Sequence, residues 1–356
     1  MTKESDTSYV APEMTPEKFI DDICTKHHIL QRVSIELTYR CNERCKHCYV
    51  ADENKNFQAE LRLKDYQALF DDLRKMETLY ITLTGGDPSM HADFMGILKS
   101  ATEHNFAVNI YTNGIGYSEE TLNEIIHLHP RSISFSLYSG IASEHDFITG
   151  INGSFERTLA TLKKVYTAGI LVSVKVPLMV PTLKGFPALQ SLCKNLDINL
   201  EVDYLIRVTT HGDISPVKLR LRDVEDYKKI MRIVQKDEKF LVPPSRDVKG
   251  PICGVGRLSL RVNPYGEVFP CNGFDFSLGN IKETPIQEIW EGERLKQISK
   301  LRFEQLGDSC VKCLWRNDCL FCLGAALSEN GNMMIPLKEF CKIAQAIYEV
   351  RSENIA

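Results

Sequence analysis

From residue 32 to residue 207 the chain repeats one pattern, a short β-branched apolar run followed by a longer stretch with apolar residues three and four apart. The runs at 32–38, 78–84, 106–112, 131–138, 170–178 and 199–207 read as strands. Helical patterns at 64–75, 93–104, 118–127, 154–168 and 186–195 fall between them, with turn signals at Gly85-Gly86-Asp87-Pro88 and Thr112-Asn113-Gly114. Such alternation makes parallel strands with crossover helices. Six successive units therefore predict an α/β fold, a partial (β/α)6 TIM-like barrel whose reactive groups gather on the loops after the strand C-termini.

After residue 208 the pattern changes. Pro216, Pro243, Pro244 and Pro251 lead to a β-hairpin over 257–270 with Asn263-Pro264-Tyr265-Gly266 as its turn, and helical patterns follow at 284–300 and 337–352. The expected organisation is an N-terminal extension over 1–30, a barrel over 31–240 and a smaller α+β domain over 241–356.

Composition narrows the function. With 43 Lys+Arg against 47 Asp+Glu the formal charge is −4, which removes the basic excess that nucleic acid or an anionic membrane surface would require. No apolar run is long enough for a membrane span or a signal peptide, so the expected location is the cytoplasm. Against that background the 12 cysteines stand out, since in a reducing compartment clustered thiols point to metal or redox chemistry rather than disulfides. Cys41, Cys45 and Cys48 form an early group directly after the first strand. Cys253, Cys271, Cys310, Cys313, Cys319, Cys322 and Cys341 form a late one, and Cys24 and Cys193 stand apart.

Three thiolates in eight residues are one short of a closed zinc site, whereas an iron–sulfur cluster with three cysteines keeps one iron free for an exchangeable ligand. The spacing alone leaves open a zinc loop completed by His47, or three unconnected thiols. In the late group only five residues separate Cys313 from Cys319, which fits a zinc ribbon poorly.

The CxxxCxxC spacing after the first strand, together with Gly85-Gly86-Asp87-Pro88 after the second, resembles the cluster motif and the GGEP-type loop of the radical S-adenosylmethionine (SAM) enzymes. The late cysteines resemble the seven-cysteine SPASM extension of that family, with two residues rather than three between Cys319 and Cys322. The resemblance implies a [4Fe-4S] cluster on Cys41, Cys45 and Cys48 that binds SAM and cleaves it to a 5′-deoxyadenosyl radical. By the same resemblance His47 lies against the adenine, Gly85, Gly86 and Asp87 border the methionyl group, and Ser136 faces the ribose. Tyr138 stands where many relatives carry an Asp, and Asn113 is a weaker contact.

The resemblance further implies two auxiliary [4Fe-4S] clusters. Cys310, Cys313, Cys319 and Cys341 would close one. Cys253, Cys271 and Cys322 would hold the other, whose fourth position is either open or filled by a group such as Asp275 or Asn272. Asn272 also replaces the Asp that serves as a base in the sulfatase-maturing branch, which disfavours formylglycine formation.

The function so implied is an iron–sulfur oxidoreductase abstracting hydrogen from a peptide or protein, with cross-linking, epimerisation or oxidation as the outcome. A low-potential donor such as flavodoxin or ferredoxin would feed it. Because the stretch before Arg32 is short for a peptide-binding module, leader recognition is expected to need a separate protein or a different surface of this one. The alternatives are the same chemistry on a small molecule, by tetrapyrrole decarboxylation or aminoglycoside oxidation, and a non-catalytic zinc-binding interaction protein. Glu201, Asp203 and Tyr204 are further candidates for substrate contact.

Overall fold

A computed structural model describes residues 15–50, 59–234 and 246–353. Six parallel strands, β1 (Arg32–Glu36), β2 (Tyr80–Thr84), β3 (Ala107–Thr112), β4 (Ser132–Ser136), β5 (Leu171–Pro177) and β6 (Asn199–Asp203), lie side by side in chain order. The helices α2 (Leu63–Lys75), α3 (Phe94–Glu103), α4 (Glu119–Leu128), α5 (Ala142–Thr149), α6 (Ser154–Thr167) and α7 (Phe186–Asn195) make the crossovers. A further helix, α1 (Pro16–His27), precedes β1, and α8 (Val224–Val234) follows β6. The sheet does not close. It runs β6-β5-β4-β3-β2-β1 and continues into β7 (Ser259–Val262), β8 (Glu267–Phe269) and β9 (Gly279–Asn280), so that β6 and β9 are its edges.

The strand alternation separates the two faces of the sheet. Ile81, Leu83, Val108, Ile110, Ile133, Phe135, Val172 and Val174 are buried in one core with the helices. Their neighbours in sequence, which point to the other face, are polar: Ser34 and Glu36, Thr82 and Thr84, Asn109 and Tyr111, Ser134 and Ser136, Ser173 and Lys175, Glu201 and Asp203. These residues bond to one another across the strands, Ser134 to Ser173 (2.8 Å) and Ser173 to Glu201 (2.7 Å), while Lys175 pairs with Glu201 and lies 4.3 Å from the Tyr111 ring centroid. A lumen face of this kind differs from an apolar core in that its polar groups are held by partners across the strands. It is lined as a place for polar ligands.

The C-terminal part is stitched onto the barrel. β7 pairs in parallel with β1, Arg32 opposite Ser259 and Ile35 opposite Val262. Beyond β9 come α9 (Ile286–Trp290), α10 (Glu293–Ser299), α11 (Asp308–Val311), α12 (Leu323–Asn330) and α13 (Lys338–Glu353). α13 returns to α8, where Arg232 grips Glu353 through two bonds of 2.9 and 2.7 Å, and Arg220 reaches Glu329 on α12 at 2.9 Å. Among the described residues no helix is long and apolar enough to cross a membrane.

Several expectations need adjusting. The sixth strand ends at Asp203 rather than 207, because the Asp203 carboxylate accepts the Leu205 backbone N–H (3.0 Å) and turns the chain out of the sheet. The helix expected over 284–300 is two, α9 and α10, broken at Gly292. α1, α5, α8, α11 and α12 lie outside the expected helical patterns. The boundary placed near 240 lies outside the described residues.

Candidate functional site

The loop carrying Cys41, Cys45 and Cys48 leaves the C-terminal end of β1 and is pinned from three sides. Cys48 N–H bonds Cys45 O (3.0 Å), while Arg44 N–H and Lys46 N–H bond Thr149 O (2.8 Å) and Ile148 O (2.9 Å) at the end of α5. From β3, Asn113 Nδ2 donates to Asn42 Oδ1 (2.5 Å) and stands 3.7 Å from Cys41 Sγ. From the end of β4, Tyr138 Oη stands 3.7 Å from Cys45 Sγ. Asn113, expected to be a marginal contact, is thus brought directly against the first cysteine.

The Gly85-Gly86-Asp87 turn follows β2 and lies along the backbone leading to Cys41. Gly86 N–H bonds Thr38 O (2.7 Å) and Asp87 N–H bonds Arg40 O (3.0 Å). A Cβ on Gly86 would sit 2.7 Å from Tyr39 O and still closer to Arg40 O, and Gly85 holds φ 145°. At these positions the glycines let two backbone segments touch, with no Cβ between them.

Asp87 is fully buried. Its Oδ1 accepts Ser89 N–H (3.0 Å) and Ser89 Oγ (2.6 Å), and its Oδ2 accepts Thr112 Oγ1 (2.7 Å) and Asn113 N–H (2.8 Å). Burial raises its pKa against these four bonds, which favour the ionised form. The carboxylate ties the ends of β2 and β3 together and thereby sets Asn113.

His47 packs edge-on against Tyr138 (ring centroids 4.6 Å apart), which is stacked on His145 (5.3 Å). Burial, and then His145, pull the His47 pKa down to about 4, so the ring is neutral at neutral pH. Its Nδ1 is buried with no hydrogen-bond partner among the described residues. An orphaned acceptor or donor at this depth fits a polar ligand edge such as an adenine. Ser136 lies on the lumen face of β4, opposite Lys175 of β5.

The seven late cysteines sort by position. Cys253, Cys271 and Cys322 lie within electrostatic reach of one another, and Cys271 Sγ and Cys322 Sγ are both 3.5 Å from the point a Gly273 Cβ would occupy. Cys310, Cys313, Cys319 and Cys341 neighbour one another separately. Arg246 joins the two sets, donating to Ile252 O (3.1 Å) and to Cys319 O. Asp275 accepts Ser328 Oγ (2.8 Å), and the Asn272 carbonyl accepts Arg207 Nη1 (2.7 Å). Cys193 is buried in the barrel core and Cys24 is a buried residue of α1; neither joins a group.

All twelve cysteines are free thiols. Burial pushes Cys41 up to about 12 and Cys253 and Cys319 up to about 11, which disfavours bare thiolates. Cationic irons reverse that cost. Among the described residues no three Cys, His, Asp or Glu side chains converge tightly enough to chelate one metal ion. Thiol-only donor sets spaced in this way fit the separate irons of a cluster.

The family profile described as the radical SAM superfamily matches residues 35–185, and one described as an iron–sulfur cluster-binding domain, SPASM, matches 253–314. The chain belongs to the radical SAM superfamily. As a radical SAM/SPASM protein it is an iron–sulfur oxidoreductase that works with [4Fe-4S] clusters and SAM, which sets aside the non-catalytic zinc reading. Among its relatives, the AdoMet-dependent heme synthase of Methanosarcina barkeri is 26% identical over 85% of this chain and 93% of its own length. The mycofactocin maturase MftC of Mycobacterium tuberculosis is 26% identical over 80% and 75%, and the antilisterial bacteriocin subtilosin biosynthesis protein AlbA of Bacillus subtilis 27% over 83% and 68%.

Solved structures agree on the fold. SuiB of Streptococcus suis bound to S-adenosylmethionine superposes with a TM-score of 0.68 at 15% identity, over 95% of this chain and 83% of that one. Native anSMEcpe with bound AdoMet gives 0.70 at 16%, over 91% and 98%.

Proposed function

We propose that this radical SAM/SPASM enzyme abstracts hydrogen from an unactivated C–H bond of a ribosomally made peptide or protein, completing a cross-link, an epimerisation or an oxidation. The observation that carries the reading is the convergence of two thiol-lined sites on one mouth of an open, polar barrel. Leu205 belongs to the apolar cluster against which Cys253, Cys271, Cys310, Cys319 and Cys322 pack, and the adjacent Ile206 to the one that holds Tyr138 and packs against Cys45. Relatives named as a mycofactocin maturase and as a bacteriocin subtilosin biosynthesis protein point to a peptide substrate.

In this reading Cys41, Cys45 and Cys48 hold the cluster that, when bound, supplies the electron for cleaving SAM to methionine and a 5′-deoxyadenosyl radical. His47 and Ser136 receive the nucleoside, Gly85 and Gly86 border the methionyl group, and Asp87 acts through Asn113 and the turn rather than by contact. Cys310, Cys313, Cys319 and Cys341 hold one auxiliary cluster, and Cys253, Cys271 and Cys322 the other. The barrel unit extends over 31–240 and the auxiliary unit over 241–356, with 1–30 as an extension. Cysteines outside disulfides suit the reducing cytoplasm, where a flavodoxin or ferredoxin would serve as donor and a separate leader-binding protein would present the peptide.

A small-molecule substrate is the second reading, favoured by the heme synthase relative, which aligns over 93% of its length. Anaerobically purified protein is expected to hold about twelve irons per chain, three clusters of four. With dithionite and SAM it should release 5′-deoxyadenosine, and Cys41→Ala should abolish this release. Cys313→Ala should keep SAM cleavage and lose product. No 5′-deoxyadenosine from fully loaded protein would overturn the enzyme reading. Mass spectrometry after incubation in deuterated solvent with peptides encoded beside the gene then separates the branches: a loss of two mass units for a cross-link, deuterium gain for epimerisation, no change in any peptide for the small molecule.

A further inference from the structure

In the segment after β6, consecutive residues belong to the apolar clusters around both thiol-lined sites. Leu205 is buried among Val255, Phe274 and Phe321 on the auxiliary side, and Ile206 among Tyr138, Ile148 and Met179 on the side of the first cysteine loop. Arg207 follows at the seam between them. Its Nη1 donates to Asn272 O (2.7 Å) and stands 3.2 Å from where a Gly273 Cβ would lie, the same point that is 3.5 Å from the sulfurs of Cys271 and Cys322. Its guanidinium centre is 6.0 Å from the ring of Tyr49, the residue after Cys48. One arginine thus bridges the two loops that carry the two sets of thiols, and it is only half-buried.

Its charge has no carboxylate opposite it among the described residues. The acid beneath Tyr49 is Glu36, and that group is already committed. Its Oε1 accepts Tyr49 Oη (2.6 Å), and its Oε2 accepts Arg261 Nη1 (2.7 Å) and Tyr39 Oη (3.1 Å). At the adjoining position the chain carries a neutral amide, Asn272. A guanidinium has five N–H donors in a rigid fork, and fixing Nη1 on a backbone carbonyl orients the rest without neutralising them. Such a fork matches the two oxygens of a planar carboxylate.

We propose that Arg207 binds a carboxylate of the substrate and so fixes the substrate in the gap between the first cysteine loop and the Cys271–Cys322 site. This rests on the reading of that gap as the substrate site. It adds the chemical class: an acidic side chain or a chain-terminal carboxylate close to the hydrogen to be removed.

The test uses cluster-loaded, SAM-bound enzyme under anaerobic conditions and three probes: acetyl-glutamate amide, its neutral isostere acetyl-glutamine amide, and acetyl-glycyl-glycine with a free terminal carboxylate. Affinity is read by calorimetry, and the electron paramagnetic resonance signal of the reduced auxiliary clusters reports proximity. At least one carboxylate probe is expected to bind about tenfold more tightly than the amide and to shift that signal, as a charge-assisted bond would require; which acid binds better tells a side-chain source from a terminal one. R207Q should lose this discrimination at unchanged iron content, and R207K should recover part of it.

Equal binding of acids and amide by the wild-type enzyme, or discrimination that survives in R207Q, would overturn the assignment. So would an R207Q effect confined to the cluster signal with probe binding intact. SAM cleavage by the wild-type enzyme without probe is followed in parallel. Discrimination without cleavage would count against the radical reading alone, and cleavage without discrimination against the anion site alone.

Discussion

Tyr138 is the side chain on which the first cysteine group and the candidate nucleoside site meet. Its hydroxyl faces Cys45 Sγ at 3.7 Å and its ring separates His47 from His145. An O–H directed at a cluster thiolate stabilises the more negative, reduced state, so hydrogen bonds to ligand sulfurs raise the reduction potential. Tyr138→Phe removes only that oxygen. The expected outcome is a SAM-cluster potential lowered on the order of tens of millivolts, read by a redox titration followed by electron paramagnetic resonance, with iron content unchanged. An unaltered potential would mean that the hydroxyl faces the sulfur without bonding it. Tyr138 was noticed in the sequence as a departure from the family's Asp; its contact with Cys45, 93 residues away, was not readable there.

At the scale of elements, the turn after β2 matters because it is laid backbone to backbone on the segment entering the first cysteine loop. Gly86→Ala places a methyl 2.7 Å from Tyr39 O, against main chain that has no rotamer with which to yield. Overpacking of this kind costs about 1–3 kcal/mol, and the strain falls on the residues just before Cys41. The expected result is reduced stability in urea together with loss of iron from the SAM site, while the auxiliary iron is retained. Full iron with native stability would show that the two segments can part at little cost. Elements with strong periodicity were legible, and so was the GGDP turn. α8 carried its signal as well, with Tyr227, Ile230, Met231 and Val234 at helical spacing, but the surrounding prolines masked it. The end of β6 was not legible, since it depends on one Asp203 hydrogen bond.

For the whole molecule, the joint between barrel and C-terminal part centres on a buried ion pair. Arg261 on β7 and Glu36 on β1 are 2% and 1% exposed and 2.7 Å apart. Arg261 also donates to Phe274 O (3.0 Å) in the loop after Cys271 and lies 3.9 Å from the Phe269 ring centroid, while Glu36 holds Tyr39 and Tyr49 on either side of the first cysteine group. The pair therefore connects the two cofactor loops through the sheet. Arg261→Met leaves a buried carboxylate unpaired, for which the expected loss is about 3–5 kcal/mol, measured by chemical denaturation of the loaded protein. The double variant E36M/R261M should regain only part of it, since removing both charges removes their desolvation cost but leaves the Tyr39 and Tyr49 hydroxyls without their acceptor. A single variant as stable as wild type would show that water reaches the pair.

The sequence by itself determined the chemistry and the fold class. Cluster ligands in a CxxxCxxC loop are neighbours along the chain, and β-branched runs alternating with amphipathic ones have no other economical way to bury their apolar faces. What only the tertiary structure decided is where distant groups meet. Arg207, Arg246 and Arg261 look like ordinary surface arginines in the sequence, and a lone charged residue carries no local period or spacing to reveal its partner. Their positions follow from β7 extending the barrel sheet beside β1 and from the chain leaving β6 across the mouth. Contacts between residues tens to hundreds of positions apart are set by the packing of whole elements, and that packing alone placed a positive charge between the two groups of thiols.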